Sequence, residues 1–251
     1  MNYLSVEEAK VASGLRVAFS RGIPVPWGIA IRAILELKNI DYAAVEHRPG
    51  EGNEALVAWT GQGSAPVIVY NDERTRIAWS EMLLLAEDIA PFPRLIPEDQ
   101  GQRVEMMGLS YELCGESGLG WNIRLMLLND EATSRLAINP RVARQYHQVR
   151  THERIAVRMN AIIDDLSARR EAQATRGSHF LVGDRLTAAD IYWTAFSVLL
   201  DRASDDLCPI TSTYEHLPGY FREKLGRPVP NNLIEHRNAV LDAYFKTPMI
   251  F

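Results

Sequence analysis

Few side chains in this sequence stand at spacings that do chemistry by themselves. Cys114 and Cys208 are the only two cysteines, too few for a disulfide framework and too far apart for a thiol-redox or zinc pair. None of the six histidines has metal-ligand spacing, since His147 and His152 are five apart and share no helical face. No metal is expected. What remains are hydroxyls and charges at element boundaries. Ser20, followed by Arg21, ends an apolar run, Ser80 stands where a helix begins, and Thr187 precedes Asp190 by three positions. A serine at a helix start can accept a bond from an unpaired first-turn amide, and the aligned peptide dipoles there favour an anion. Thr187 and Asp190 form a capping box, with Leu186 and Ile191 placed as a hydrophobic staple.

The elements that must position these groups follow from periodicity. Residues 15–20 alternate as a strand and run into Arg21-Gly22-Ile23-Pro24-Val25-Pro26, whose prolines forbid regular structure. Trp27, Ile31, Ile34 and Leu35 then recur at helical spacing, and Lys38-Asn39 stops the helix. Residues 42–46 read as a second strand and 54–59 as a short helix or irregular connection. Residues 66–70 and 76–79 flank a polar turn and predict a hairpin, after which Ser80 caps a helix ending near Ile89. The order is βαβαββα. Past Pro91, Pro93 and Pro97 the strand signals stop, and helical pattern covers 103–114, 121–128, 141–169 and 187–200. The expectation is an α/β unit over residues 1–92, with a short N-terminal extension, followed by an all-helical bundle over 93–251.

The chain has 251 residues, 47% of them hydrophobic, enough for a sizeable core. Its net charge is -5 and its basic residues are interspersed with acids, which argues against nucleic acid as a partner. Arg141, Arg144, Arg150, Arg154 and Arg158 read as the solvated side of a long helix. No apolar run reaches the length of a membrane span, and the first residues do not resemble a secretory leader. A reducing cytoplasm is expected.

Three segments carry a resemblance. The run Phe180-Leu181-Val182-Gly183-Asp184-Arg185-Leu186-Thr187-Ala188-Ala189-Asp190-Ile191 resembles the motif that opens the buried helix of the glutathione transferase C-terminal domain. Gly63-Ser64-Ala65-Pro66-Val67 resembles the family's cis-proline segment, and Trp79-Ser80-Glu81 its acidic-Ser pair. The resemblance implies a thioredoxin-like N-terminal domain that holds glutathione as co-substrate, a helical domain that shapes a pocket for a small hydrophobic electrophile, and a homodimer. It gives Ala65 the backbone contact to the cysteinyl part of glutathione, Pro66 the geometry of that contact, and Ser80 the γ-glutamyl carboxylate. Trp79 replaces the family's acid, so Glu81 is left as the substitute for holding the ammonium. Pro24, Trp27, Tyr111, Cys114 and Trp121 are the expected pocket residues; Cys114 reads first as a small buried hydrophobe, and Tyr111 and Trp121 read equally as core residues.

The catalytic position departs from the family. Val25 stands where many members carry Ser or Cys, and it can neither donate a hydrogen bond nor form a mixed disulfide. Ser20 is the only hydroxyl between Leu15 and Arg32 and is the first candidate to stabilise the thiolate. Arg21, through its charge, and the backbone amides of residues 22–27 are the alternatives. The resemblance thus implies a glutathione-dependent transferase of unassigned reaction subtype. A ligand- or protein-binding module that has lost catalysis is the competing expectation.

Overall fold

The computed structural model describes residues 2–128, 151–209 and 214–249. The chain opens with β1 (Tyr3–Leu4), α1 (Val6–Val11), β2 (Leu15–Ser20), α2 (Pro26–Leu37), β3 (Ala43–His47), α3 (Glu54–Thr60), β4 (Val67–Tyr70) and α4 (Trp79–Ile89). Helices follow: α5 (Gln100–Cys114), α6 (Leu119–Leu128), α7 (His152–Thr175), α8 (Ala188–Ser197), α9 (Leu217–Leu225) and α10 (Asn231–Tyr244). A thioredoxin-like α/β region therefore precedes an all-helical one. The expected helix over 141–169 is seen from His152 onward; Arg141, Arg144, His147 and Arg150 lie outside the described residues.

The four strands lie in the order β1-β3-β2-β4, with β1 and β2 parallel to β3 and β4 antiparallel to β2. Alternation along β2 feeds both faces of the sheet. Leu15, Val17 and Phe19 join the large core with α2 and the later helices, whereas Ala18 packs with Ala9, Val45, Leu56 and Val67 on the other face.

Two features differ from the sequence expectation. The N-terminal extension is itself structured, because Ser5 and Glu8 close a capping box: the Ser5 N–H donates to Glu8 Oε2 at 2.7 Å and the Glu8 N–H to Ser5 Oγ at 3.2 Å. That turn lays β1 on the sheet edge. The hairpin, conversely, shrinks to one bridge between Ile68 and Arg76, because helix α4 begins at Trp79 with Ala78 as its N-cap. Ser80 is thus inside the first turn rather than capping it. The capping is done by Glu81, whose Oε2 accepts from the N–H groups of Ile77 and Ala78 at 3.4 and 3.3 Å.

Lys38 and Asn39 end α2 as expected, Asn39 with φ 52°. Lys38 does more than complement the helix end. Its buried ammonium pairs with Glu87 at 2.6 Å and donates to the carbonyls of Ala90 and Pro93, fastening α2 to the proline-rich connection that leads into the helices.

Helix α8 is buried along all ten of its residues. Its start hangs on Asp190, which is 0% exposed: Oδ2 accepts from the Thr187 N–H and hydroxyl, each at 2.8 Å, and Oδ1 from the Leu181 N–H at 2.8 Å. Asp190→Ala should therefore strand buried donors and cost about 3 kcal/mol, lowering Tm by roughly 6–12 °C for a chain of this size. Thermal unfolding of the two proteins checks this, and a shift under a degree would show that the carboxylate is not the anchor.

Candidate functional site

A cavity of about 150 Å³ opens where the sheet region meets the helices. Its floor is Ser64, Ala65 and Pro66; α2 contributes Trp27 and Ile31, and the start of α4 contributes Trp79 and Met82 with Ile77 just ahead. Arg124 of α6 and Tyr192 of α8 close it from the other side. Arg124 is the only charged side chain among the described residues that line it.

The Ala65–Pro66 peptide is cis, as the resemblance implies. Among the described residues no backbone hydrogen bond engages the N–H or C=O of Ala65, so both are open to an extended ligand strand. Trp27 is fixed by its Nε1, which donates to the Cys114 carbonyl at 3.1 Å, and by an edge contact with Phe196 at 4.8 Å between centroids. Trp79 meets Tyr192 edge-on at 5.5 Å.

The other expected site residues are spread more widely. Ser20 and Val25 line a separate crevice of about 40 Å³, with Tyr3, Phe245 and Met249. The Ser20 hydroxyl lies 3.0 Å from His47 Nδ1, and His47 Nε2 lies 3.1 Å from the Gly63 carbonyl. A carbonyl only accepts, so Nε2 carries the ring proton and Nδ1 accepts from Ser20. The single proton of Ser20 is then committed to His47, and the serine reaches the loop at Gly63 only through that ring. Arg21 is exposed and pairs with Glu46 at 2.9 Å. Glu81 pairs with Arg74 at 2.7 Å; burial raises its carboxyl pKa, but the bonds from Arg74, Ala78 and Ile77 together hold it below 4.5. Glu81 does not line the cavity.

Ser80 sits half-buried one position beyond Trp79, in the first turn of α4. Of the expected pocket residues only Trp27 lines the cavity. Pro24 is buried, Trp121 is half-buried, and Tyr111 points outward at 53% exposure. Cys114 is buried, and desolvation pushes its thiol well above the usual value, which suits an inert packing role. Arg158, expected on a solvated face, instead pairs with Glu112 and donates to the Ser117 carbonyl.

Sequence reasoning missed Tyr192 and Arg124. Tyr192 lies two residues past Asp190 inside an apolar helix, where periodicity marks every position as core. Arg124 looked like one of many dispersed cations. No group of three or more His, Cys, Asp or Glu among the described residues is placed to hold a metal.

His47 makes this region sensitive to acid. It is 7% exposed; burial lowers its pKa below 6.5, the Arg124 charge lowers it further and the Gly63 bond partly opposes them. A depressed folded-state value gives stability that is full above the unfolded pKa of 6.5 and is lost as pH falls through the folded value. His47→Gln should flatten the decline in Tm below about pH 6.5. Melting curves taken from pH 8 to pH 5, as rough bounds around that value, provide the check; parallel declines in the two proteins would assign the acid sensitivity elsewhere.

Comparison with known proteins gives a one-sided result. No family model matches the chain, and no curated protein matches it by sequence. Solved structures match over nearly its whole length. A glutathione S-transferase from Methylobacillus flagellatus KT, solved with glutathione bound, superposes with TM-score 0.63 at 15% identity, covering 94% of this chain and 100% of that one. A glutathione S-transferase domain-containing protein from Marinobacter aquaeolei VT8 gives TM-score 0.63 at 17% identity over the same shares. The beta-etherase LigF of Sphingobium sp. strain SYK-6 gives 0.57 at 16%, covering 88% and 99%. With a thioredoxin-like sheet, a cis-proline loop and a wholly buried helix facing it, this chain has the fold of the glutathione S-transferase superfamily.

Proposed function

We propose that this protein binds glutathione at the Ala65–Pro66 loop and uses its sulfur as a nucleophile on a small apolar electrophile. The observation that carries the reading is the cavity beside Ala65, whose unpaired backbone N–H and C=O can take the cysteinyl part of the peptide as an added strand would. Structural neighbours solved with glutathione bound support it. Ser80 then receives the γ-glutamyl carboxylate at the first turn of α4, where the helix dipole favours negative charge.

In this reading residues 1–92 hold glutathione and 93–251 shape the electrophile end. Trp27 and Trp79, from residues 1–92, add an apolar wall to the same cavity. Arg21 and Glu81 take no part in the proposal, each being already engaged by an opposite charge. The partner is a second copy of the chain, and the compartment is a reducing cytoplasm, in which Cys114 and Cys208 stay as buried free thiols. No helix among the described residues is long and apolar enough to cross a membrane.

A second reading, a binding module without turnover, draws on Val25 at the family's catalytic position and on the committed proton of Ser20. Calorimetry with glutathione and an assay of glutathione-dependent turnover across an electrophile panel separate the two. Binding with turnover is the expected outcome; binding without it selects the module, and absence of binding removes both. Ser80→Ala should weaken glutathione by about 0.5–2 kcal/mol, the range for a lost bond with one charged partner, or roughly two- to thirtyfold in Kd. Equal affinity in the variant would detach Ser80 from the site.

A further inference from the structure

We propose that the glutathione sulfur is held as a thiolate by Tyr192 and Arg124, two side chains of the helical region, rather than by a residue at the end of the first family strand. The proposal rests on the glutathione site described above and assigns the group that activates it. Both side chains line the same cavity as Ala65 and Pro66, so they face the loop that would present the cysteinyl portion.

Tyr192 has what a thiolate donor requires. It is 3% exposed and lies on a helix buried along its length, so the ring cannot swing away. Trp79 abuts it edge-on at 5.5 Å. No hydrogen bond engages its hydroxyl among the described residues, and the residue lines the cavity, so its proton is free to serve a ligand there. Burial, together with the nearby Cys114, pushes the phenol well above its usual 10.0. It therefore stays protonated and donates at any pH at which a thiol ionises. A donor already held by packing needs no reorganisation when the charge appears.

Arg124 supplies the charge. It is the cavity's one ionised side chain among the described residues, and its field is felt at His47, beneath the Gly63 carbonyl. A cation near a thiol favours the ionised form. The two groups divide the work: Arg124 lowers the cost of charge on sulfur, and Tyr192 donates an O–H···S⁻ bond. The thiol proton leaves to solvent, the sulfur lone pair forms the bond to the electrophilic carbon, and the group displaced from that carbon departs with its bonding pair. Ser20 is excluded from this role by its bond to His47, and Val25 has nothing to donate.

The test reads the pKa of bound glutathione from its ultraviolet thiolate absorbance, with S-methylglutathione calorimetry as a thiol-free measure of the site. Tyr192→Phe removes one oxygen that makes no hydrogen bond among the described residues; it should leave Tm unchanged and S-methylglutathione affinity within about twofold. It should raise the bound thiol pKa by about one unit, which costs up to about tenfold in thiolate at pH values below that pKa. Arg124→Gln should raise it similarly, and Arg124→Lys should restore part of the difference. A thiol pKa unmoved in both Tyr192→Phe and Arg124→Gln overturns the assignment. A rise in Ser20→Ala with none in Tyr192→Phe would return the role to the first strand. Failure of the wild-type protein to bind S-methylglutathione would overturn the glutathione site itself, and the assignment with it.

Discussion

The geometry of the site depends on one buried carboxylate. Asp190 has no contact with solvent, and an ionised carboxylate in that position is tolerable only if its oxygens are fully engaged. Donors come from the 181 loop and from Thr187, and the ring of His236 on α10 lies 3.2 Å away. These partners hold the first turn of α8 in position and in rotation. Rotation matters because Tyr192 follows Asp190 by two residues, about 200° around the helix. Fixing the carboxylate toward the 181 loop therefore turns the phenol to the opposite side, where the cavity lies. Trp193 locks the same rotation farther along by donating to the Leu233 carbonyl at 3.1 Å.

The second wall depends on close backbone approach. At Gly120, an added Cβ would stand 1.9 Å from the Phe196 ring and 2.9 Å from the Trp27 ring, so only glycine lets the start of α6 pass against both. That passage carries the helix on which Arg124 lies, and the Cys114 carbonyl just before it receives the Trp27 indole. The cavity is thus assembled from α2, α4, α6 and α8, elements distant in sequence, through a few contacts that leave little room to shift. Lys38, anchored on Glu87, Ala90 and Pro93, holds the connection between the sheet region and these helices in register.

Much of this was legible in the residues. The alternation of 15–20, the Lys38-Asn39 stop and the Thr187-Asp190 box are local signals, each read from a few neighbours, and each reappears in the fold. The start of α1 was equally local, since Ser5 and Glu8 form the same kind of box, but its short helix and the two-residue strand ahead of it carry almost no periodicity. Ser80 was displaced from the N-cap because Glu81 satisfies the same amides, and a sequence alone does not say which of two adjacent acceptors wins. The cavity was the least legible part. Tyr192 and Arg124 join it through tertiary packing, and neither spacing nor composition marks which face of an apolar helix meets empty space.

The replacement of the family's acid by Trp79 gains meaning from the charges around it. An acid there would place a carboxylate beside the cavity and raise the cost of an anion on sulfur. The indole removes that charge and instead supplies apolar wall and an edge contact for Tyr192. Glu81, the expected substitute for the family's acid, pairs with Arg74 and caps its own helix start, and it does not line the cavity. Arg124 is the one charged lining group among the described residues, so the only formal charge these residues bring to the cavity wall is positive. With an indole at position 79 and a guanidinium at position 124, the cavity offers the sulfur of the proposed complex an apolar wall and a cation rather than a carboxylate.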